Sequence, residues 1–136
     1  MAAPLSIGQQ ASITRAFSPE DILTFARLSG DGNPLHLDPE YARGTPFGAP
    51  IVHGLLVSSL FSQLLAEQLT GPGTIYLSQR LTFRSPVYIG EDVTATVEVI
   101  AVRPDKPIIT LRTWAVTVRG TAIDGEAVVR APYSAG

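Results

Sequence analysis

The sequence predicts an α+β architecture in which an antiparallel sheet curls round one long buried helix. Three observations predict it. Residues 54–69, GLLVSSLFSQLLAEQL, are apolar round most of a helical circumference. Four strand-like runs follow, at 75–83, 93–102, 108–118 and 122–129, with no further helix among them. Proline and glycine turn signals separate these runs, at Ser85-Pro86, Gly90-Glu91, residues 104–107 and residues 120–125. The consecutive runs read as an antiparallel meander. With 136 residues and 45% hydrophobic content, the chain is expected to be a single domain over 1–136 with one well-buried core.

The elements before that helix follow from local chemistry. Residues 11–17, ASITRAF, alternate apolar and polar and predict a short edge strand. Ser18-Pro19-Glu20-Asp21 supplies an N-cap hydroxyl, a proline for the first helical position and acids for the first turn. Ile22, Phe25, Ala26 and Leu28 give that helix an apolar face, and Gly30 ends it. Residues 31–37, DGNPLHL, are expected to be an irregular loop, because glycine disfavours helix and Pro34 biases Asn33 away from the α region. Asp38-Pro39-Glu40 repeats the cap-plus-proline start for a short helix to about Arg43, and residues 44–50 form a connection. Gly71-Pro72 closes the long helix, on which Gly54, Ser58 and Ser62 fall four apart as a stripe of small residues.

Composition excludes several classes of function. A net charge of -2 with scattered charges leaves no basic stripe for nucleic acid. No cysteine is present, which removes disulfides, thiolate nucleophiles and thiolate metal sites and suits a reducing cytoplasm. Two histidines argue against a zinc cluster, so no metal is expected. The apolar stretches fall short of the ~18 residues that a membrane span needs, and the N-terminal residues lack a cationic and apolar leader pattern. A cytoplasmic protein is the expectation.

Two motifs can carry chemistry. Asp31, Asn33 and His36 share one proline-bent loop directly after a helix that anchors it. A carboxylate and an imidazole held together can take and give a proton, as reversible addition of water to an activated double bond requires. The same residues also suit plain turn hydrogen bonds, with His36 a satisfied histidine. In Ile51-Val52-His53-Gly54-Leu55 a glycine opens the buried helix, where free N–H groups and the positive end of the helix dipole collect. There a ligand oxygen can meet backbone donors. Gly54 equally suits close packing, and His53 suits a cap, an orienting role or a second base.

Three segments, FSPEDILTFARLSGDGNPLHLDPEYA, FGAPIVHGLLVSSLFSQLL and GTIYLSQRLTFRSPVYIGEDVTATVEV, resemble the MaoC-like hydratases of hot-dog fold, and among them the bacterial (R)-specific enoyl-CoA hydratases. The D-x-N-P-x-H motif followed by P-x-V-H-G carries the likeness. The resemblance implies that Asp31 and His36 are the catalytic pair, that Asn33 supports their loop, that the Gly54 N–H is the oxyanion donor, and that Ser62 lies near the active site. Ser62 has a second reading, a buried serine bonding back to the Ser58 carbonyl. The resemblance also implies a homodimer with a thioester tunnel near its interface and one water shared by Asp31 and His36. No cofactor is expected, since CoA is part of the 2-enoyl-CoA substrate. The competing expectations are a hot-dog acyl-CoA thioesterase and a non-catalytic acyl-thioester binding module.

Overall fold

A computed structural model of the chain describes residues 5–132. Strand β1 (Gln10–Arg15) leads into helix α1 (Pro19–Ser29). The start of α1 is a reciprocal capping box: Asp21 N–H donates to Ser18 Oγ at 3.1 Å and Ser18 N–H donates to the Asp21 carboxylate at 2.9 Å. These bonds hold the Asp21 carboxyl below its ordinary value. Gly30 ends the helix at φ 80°, a left-handed conformation that glycine adopts without penalty, and its N–H donates to Ala26 O. Ile22 is buried, whereas Leu28, expected on the same apolar face, points to solvent with 85% of its surface exposed.

The expected irregular loop contains a helical turn, α2 (Pro34–Leu37). Pro34 does keep Asn33 out of the helix, but as an N-cap: Asn33 Oδ1 accepts from Leu35 N–H at 3.0 Å while Pro34 takes the first helical position. Helix α3 (Pro39–Arg43) follows, capped by Asp38 as its sequence predicts. The long helix begins as α4 (Gly54–Gln63) and then widens to π-helical geometry over Leu64–Leu69. Thr70 marks the exit, with both its N–H and its hydroxyl donating to Leu65 O.

Strands β2 (Ile75–Phe83), β3 (Val93–Val102), β4 (Ile108–Thr117) and β5 (Gly120–Arg130) complete one antiparallel sheet of order β1-β3-β4-β5-β2. Only β3, β4 and β5 form a meander. β2 lies against β5 at the far edge, so the chain crosses from one side of the sheet towards the other between β2 and β3. Periodicity reports which residues share a face but not which strand is a neighbour, and this is where the expected meander over all four runs fails.

The curled sheet closes over the helix. Val93, Ala95, Val97 and Val99 of β3, with Leu111 and Ala115 of β4 and Ala127 and Val129 of β5, are fully buried beside Phe61, Leu64 and Leu65. This is the hot-dog arrangement of an α+β fold, with the helix as the filling. Among the described residues, no helix is long and apolar enough to cross a membrane.

Candidate active site

The two sequence motifs meet at the N-terminal end of α4. The loop after α1 is held by short-range bonds: Asp31 N–H donates to Ser29 Oγ, and Asn33 N–H donates to Asp31 Oδ1 at 3.2 Å. Asp31 and Asn33 therefore do make the turn bonds that their residue types suggest. The bond from Asn33 occupies one oxygen of a half-exposed Asp31 carboxylate.

The approach to α4 is clamped from both sides. Ile51 N–H donates to Leu35 O, Val52 N–H donates to Val87 O at 2.8 Å, and Ile51 bridges to Tyr88. His36 reaches across to this segment, its Nδ1 lying 2.7 Å from Ile51 O. A carbonyl oxygen only accepts, so Nδ1 carries the proton and Nε2 is the ring nitrogen left for chemistry.

His53 is the buried member, 2% exposed, with its ring stacked on His36 at 3.8 Å between centroids and tilted against Phe25. Its Nε2 lies 3.1 Å from the main-chain oxygen of Asp31 and 3.9 Å from the carboxylate. Although it occupies the N-cap position of α4, its side chain makes no capping bond, which corrects the reading of His53 as a cap. Burial is the largest influence on its ring and pushes the pKa below the ordinary value, with the neighbouring His36 adding to the effect and the bonds to Asp31 opposing it.

A carboxylate oxygen of Asp31 and one ring nitrogen each of His36 and His53 all lie within 4.8 Å of one another. Two histidines and a carboxylate this close are a conceivable metal set, contrary to the argument from histidine count alone. The ring geometry opposes it. Imidazole lone pairs lie in the ring plane, and two rings stacked only 27° from parallel aim theirs side by side rather than at one point. The arrangement suits proton transfer better: two hydrogen bonds of ~2.8 Å let one water touch both Asp31 and His36.

These residues stand on a cavity of about 410 Å³. Asp31, His36, His53 and Gly54 line it beside apolar walls from Phe47, Val52, Val57, Phe83, Val87 and Ile123, with Arg84 and Ser85 also on its surface. A few convergent polar groups in an apolar cleft are the usual makeup of a small-molecule site. Within the opening turn of α4, Leu56 and Val57 N–H donate to His53 O, and the Gly54 and Leu55 N–H groups precede these bonds. Gly54 is also a packing position. A Cβ there would stand 2.4 Å from the Phe83 ring, so Phe83 covers one side of the glycine.

The fold does not bring Ser62 into this group. It lies two turns beyond Gly54, exposed, and outside the cavity lining, which also corrects the reading of it as a buried serine. The back-bonding expected of it is made one turn earlier, by Ser58 Oγ to Gly54 O at 2.8 Å. Phe83 to Val87, the far wall of the cavity, escaped the sequence reading: the exit of an edge strand carries no local signal that it will face a loop fifty residues upstream.

The MaoC like domain model matches residues 4–120. The chain belongs to the MaoC-like family. One family relative, the (R)-specific enoyl-CoA hydratase of Aeromonas caviae, is 53% identical over 132 residues, covering 96% of this chain and 98% of its own. The solved structure of an (R)-hydratase from A. caviae involved in PHA biosynthesis superposes with a TM-score of 0.93 at 53% identity, over 96% of this chain and 100% of that one. Another MaoC-like relative, a mitochondrial 3-hydroxyacyl-[acyl-carrier-protein] dehydratase of Arabidopsis thaliana, is 48% identical over 102 residues, covering 75% of this chain and 60% of its own.

Proposed function

We propose that this chain is an (R)-specific enoyl-CoA hydratase, a hydro-lyase that adds water to a trans-2-enoyl-CoA to give the (R)-3-hydroxyacyl-CoA. The observation that carries the reading is the juxtaposition of the Asp31 carboxylate and the His36 ring within 4.8 Å, on an apolar cavity that also receives the start of α4. The acyl chain lies among Val52, Val57, Val87 and Ile123, and the thioester oxygen meets the Gly54 N–H. Asp31 takes a proton from the shared water as its oxygen bonds to C3. The C2=C3 electron pair moves towards the thioester, whose oxygen gains negative charge that the helix end stabilises. His36, entering the step as the imidazolium with protons on both Nδ1 and Nε2, then gives its Nε2 proton to C2, and the proton taken up by Asp31 passes to His36 Nε2 to restore the carboxylate and imidazolium. Both parts of water arrive from the same side. No separate cofactor enters this sequence.

The thioesterase alternative uses a carboxylate and a helix-end oxyanion site but has no need of a proton donor placed for carbon, which is the place that His36 takes. In the assay that tests the reading, hydration removes the conjugated enoyl absorbance of a 2-enoyl-CoA, while hydrolysis releases thiol and a binding module does neither. Run across acyl chain lengths with chiral analysis, it is expected to give the (R)-product. Thiol release without hydration, or a product oxidised only by an (S)-specific dehydrogenase, overturns the reading.

We also infer a homodimer. β2 ends the sheet with an unpaired edge, and its Ile75, Leu77 and Phe83 are each more than half exposed. Such an edge is a liability unless another strand covers it. A stable, active monomer in sedimentation counts against this assembly. The absence of cysteine supports action in the reducing cytoplasm.

A further inference from the structure

We propose that His53 is the positioning residue of this site: its Nε2–H, donated to the Asp31 main-chain carbonyl, ties the loop to the start of α4, while its ring face supports His36. The inference rests on the reading of Asp31 and His36 as the acid/base pair, and it assigns a specific hydrogen-bonding form to a third residue.

The assignment follows from counting donors. His53 Nε2 faces the Asp31 carbonyl at 3.1 Å, and Nδ1 is buried without a hydrogen-bond partner. With the proton on Nε2, the bond to Asp31 O is made and a buried lone pair is left over. With the proton on Nδ1, two acceptors confront each other and a buried N–H is orphaned as well. An orphaned buried donor is the rarer and more costly defect. The doubly protonated ring orphans the same N–H and buries a cation. The titratable groups facing this ring are His36 on α2 and Asp31 on the loop, with Phe25 of α1 against its other flank. Burial, the largest influence, and His36 both disfavour a charge on His53, and together they outweigh the favouring bond and charge of Asp31.

The consequence is mechanical. Asp31 sits on an exposed loop, and its own other hydrogen bonds among the described residues reach only to Ser29 and Asn33. The bond from His53 is the one that spans 22 residues and fixes that loop against the helix whose N–H groups would bind the thioester oxygen. His36 has its own anchor on Ile51 O, and the stacked rings set its plane relative to the same helix. Misplacing reacting groups by about 1 Å costs roughly 10²-fold in rate, so a loop tether can act on turnover without touching substrate.

The test has two arms. In the wild-type protein, nitrogen NMR of the imidazoles is expected to show His53 as the neutral Nε2–H form at pH 7. A Nδ1–H form, or a doubly protonated ring at pH 7, overturns the proposal, and this arm does not depend on activity. The second arm compares His53→Phe, which keeps a stacking ring and deletes the donor, with His53→Gln, whose side-chain amide can restore a donor near the Nε2 position. With both shown folded by circular dichroism, His53→Phe is expected to lose at least about 10-fold in kcat with KM changed less than about 3-fold, and His53→Gln to recover most of the loss. A fully active His53→Phe, a loss confined to KM, or a His53→Gln no better than His53→Phe sinks it. Failure of the hydratase reading is recognised separately, by absent hydration in the wild type.

Discussion

The two halves of the candidate site are built on opposite principles. The loop half is exposed from Asp31 to Pro34 and half-buried at Leu35 and His36; bonds between residues two apart hold it, Asp31 to Ser29, Asn33 to Asp31 and Leu35 to Asn33, and bonds to Ile51 fix its far end. The helix half, Val52 to Gly54, is buried at Val52 and His53 and held by partners far away in sequence: Val52 to Val87, His53 to Asp31, Gly54 against Phe83. Locally tied groups can be altered with little effect on the fold, while long-range ones couple chemistry to packing. Substitutions in the two halves should therefore separate rate from stability in different ways.

The largest effect is expected from the loop half. Asp31→Asn keeps an oxygen to accept from Asn33 N–H but loses the ability to take a proton, and His36→Ala removes its partner. Each should lower kcat by ~10² to 10⁴ while the thermal midpoint stays near wild type. If the two groups share one water as proposed, the double variant should be little worse than the poorer single one. Steady-state hydration assays and thermal melts of the three proteins check this. Near wild-type turnover in a folded Asp31→Asn would reduce the loop to a structural turn.

In the helix half, Gly54→Val should cost both rate and stability. Its Cβ meets the Phe83 ring, which is half exposed and can swing aside, so the folding penalty is limited to roughly 1–3 kcal/mol. Displacing that ring and crowding the helix-end donors should cost ~10² to 10³ in kcat, the usual effect of losing one oxyanion donor. A companion Phe83→Ala relieves the packing conflict, and because Phe83 also lines the cavity, the single Phe83→Ala variant is the reference for its rate. If Gly54→Val/Phe83→Ala regains stability and stays slow, the glycine serves the ligand. If both recover, it serves only packing.

A smaller effect tests how the loop is held. Asn33→Ala deletes the cap of α2, worth about 1 kcal/mol for a typical N-cap, and frees the turn that presents His36. Chemical denaturation should show that loss, together with a drop in kcat smaller than that of Asp31→Asn. Wild-type stability in this variant would mean that the His36 bond to Ile51 suffices to hold α2.

The same division explains what could be read from sequence. Ser18, Asp21, Gly30, Asp38 and Pro39 act on neighbours within a few residues, so caps and helix ends were legible, and the D-x-N-P-x-H loop was legible as a group. Its helical turn at Pro34–Leu37 is not legible there, because Pro34 both keeps Asn33 out of the helix and opens one for the residues after it. The stack of His36 on His53 joins residues 17 apart through a fold that brings α2 against the start of α4, and no periodicity encodes it. The place of β2 beside β5, and with it Phe83 over Gly54, is a topological choice made by the whole sheet. The family resemblance supplied the hot-dog outline, and with it the expectation of Ser62 near the site. In the described chain Ser62 is exposed on α4, away from the cavity.

The smallest effect expected is a pH dependence of stability confined to the helix half. The folded state lowers the His53 pKa below its ordinary value of 6.5, chiefly through burial. When acid is added, the unfolded chain binds its proton first, near pH 6.5, while the folded chain still holds a neutral ring. The unfolded state then binds more protons, so stability rises with pH across this window. Put the other way, the His53 contribution is fully present above 6.5 and is lost as pH falls towards the folded value. The Asp21 carboxylate, also lowered from its ordinary value of 3.8, gives a second loss of the same sign in a more acidic range, so the two can be told apart. Denaturation midpoints at intervals between pH 8 and 5 should decline below about 6.5 in the wild type, and the decline should be shallower in His53→Gln, whose amide does not titrate. Parallel wild-type and variant curves would mean that His53 titrates as freely folded as unfolded, and the buried neutral ring that ties the two halves together would have to be given up.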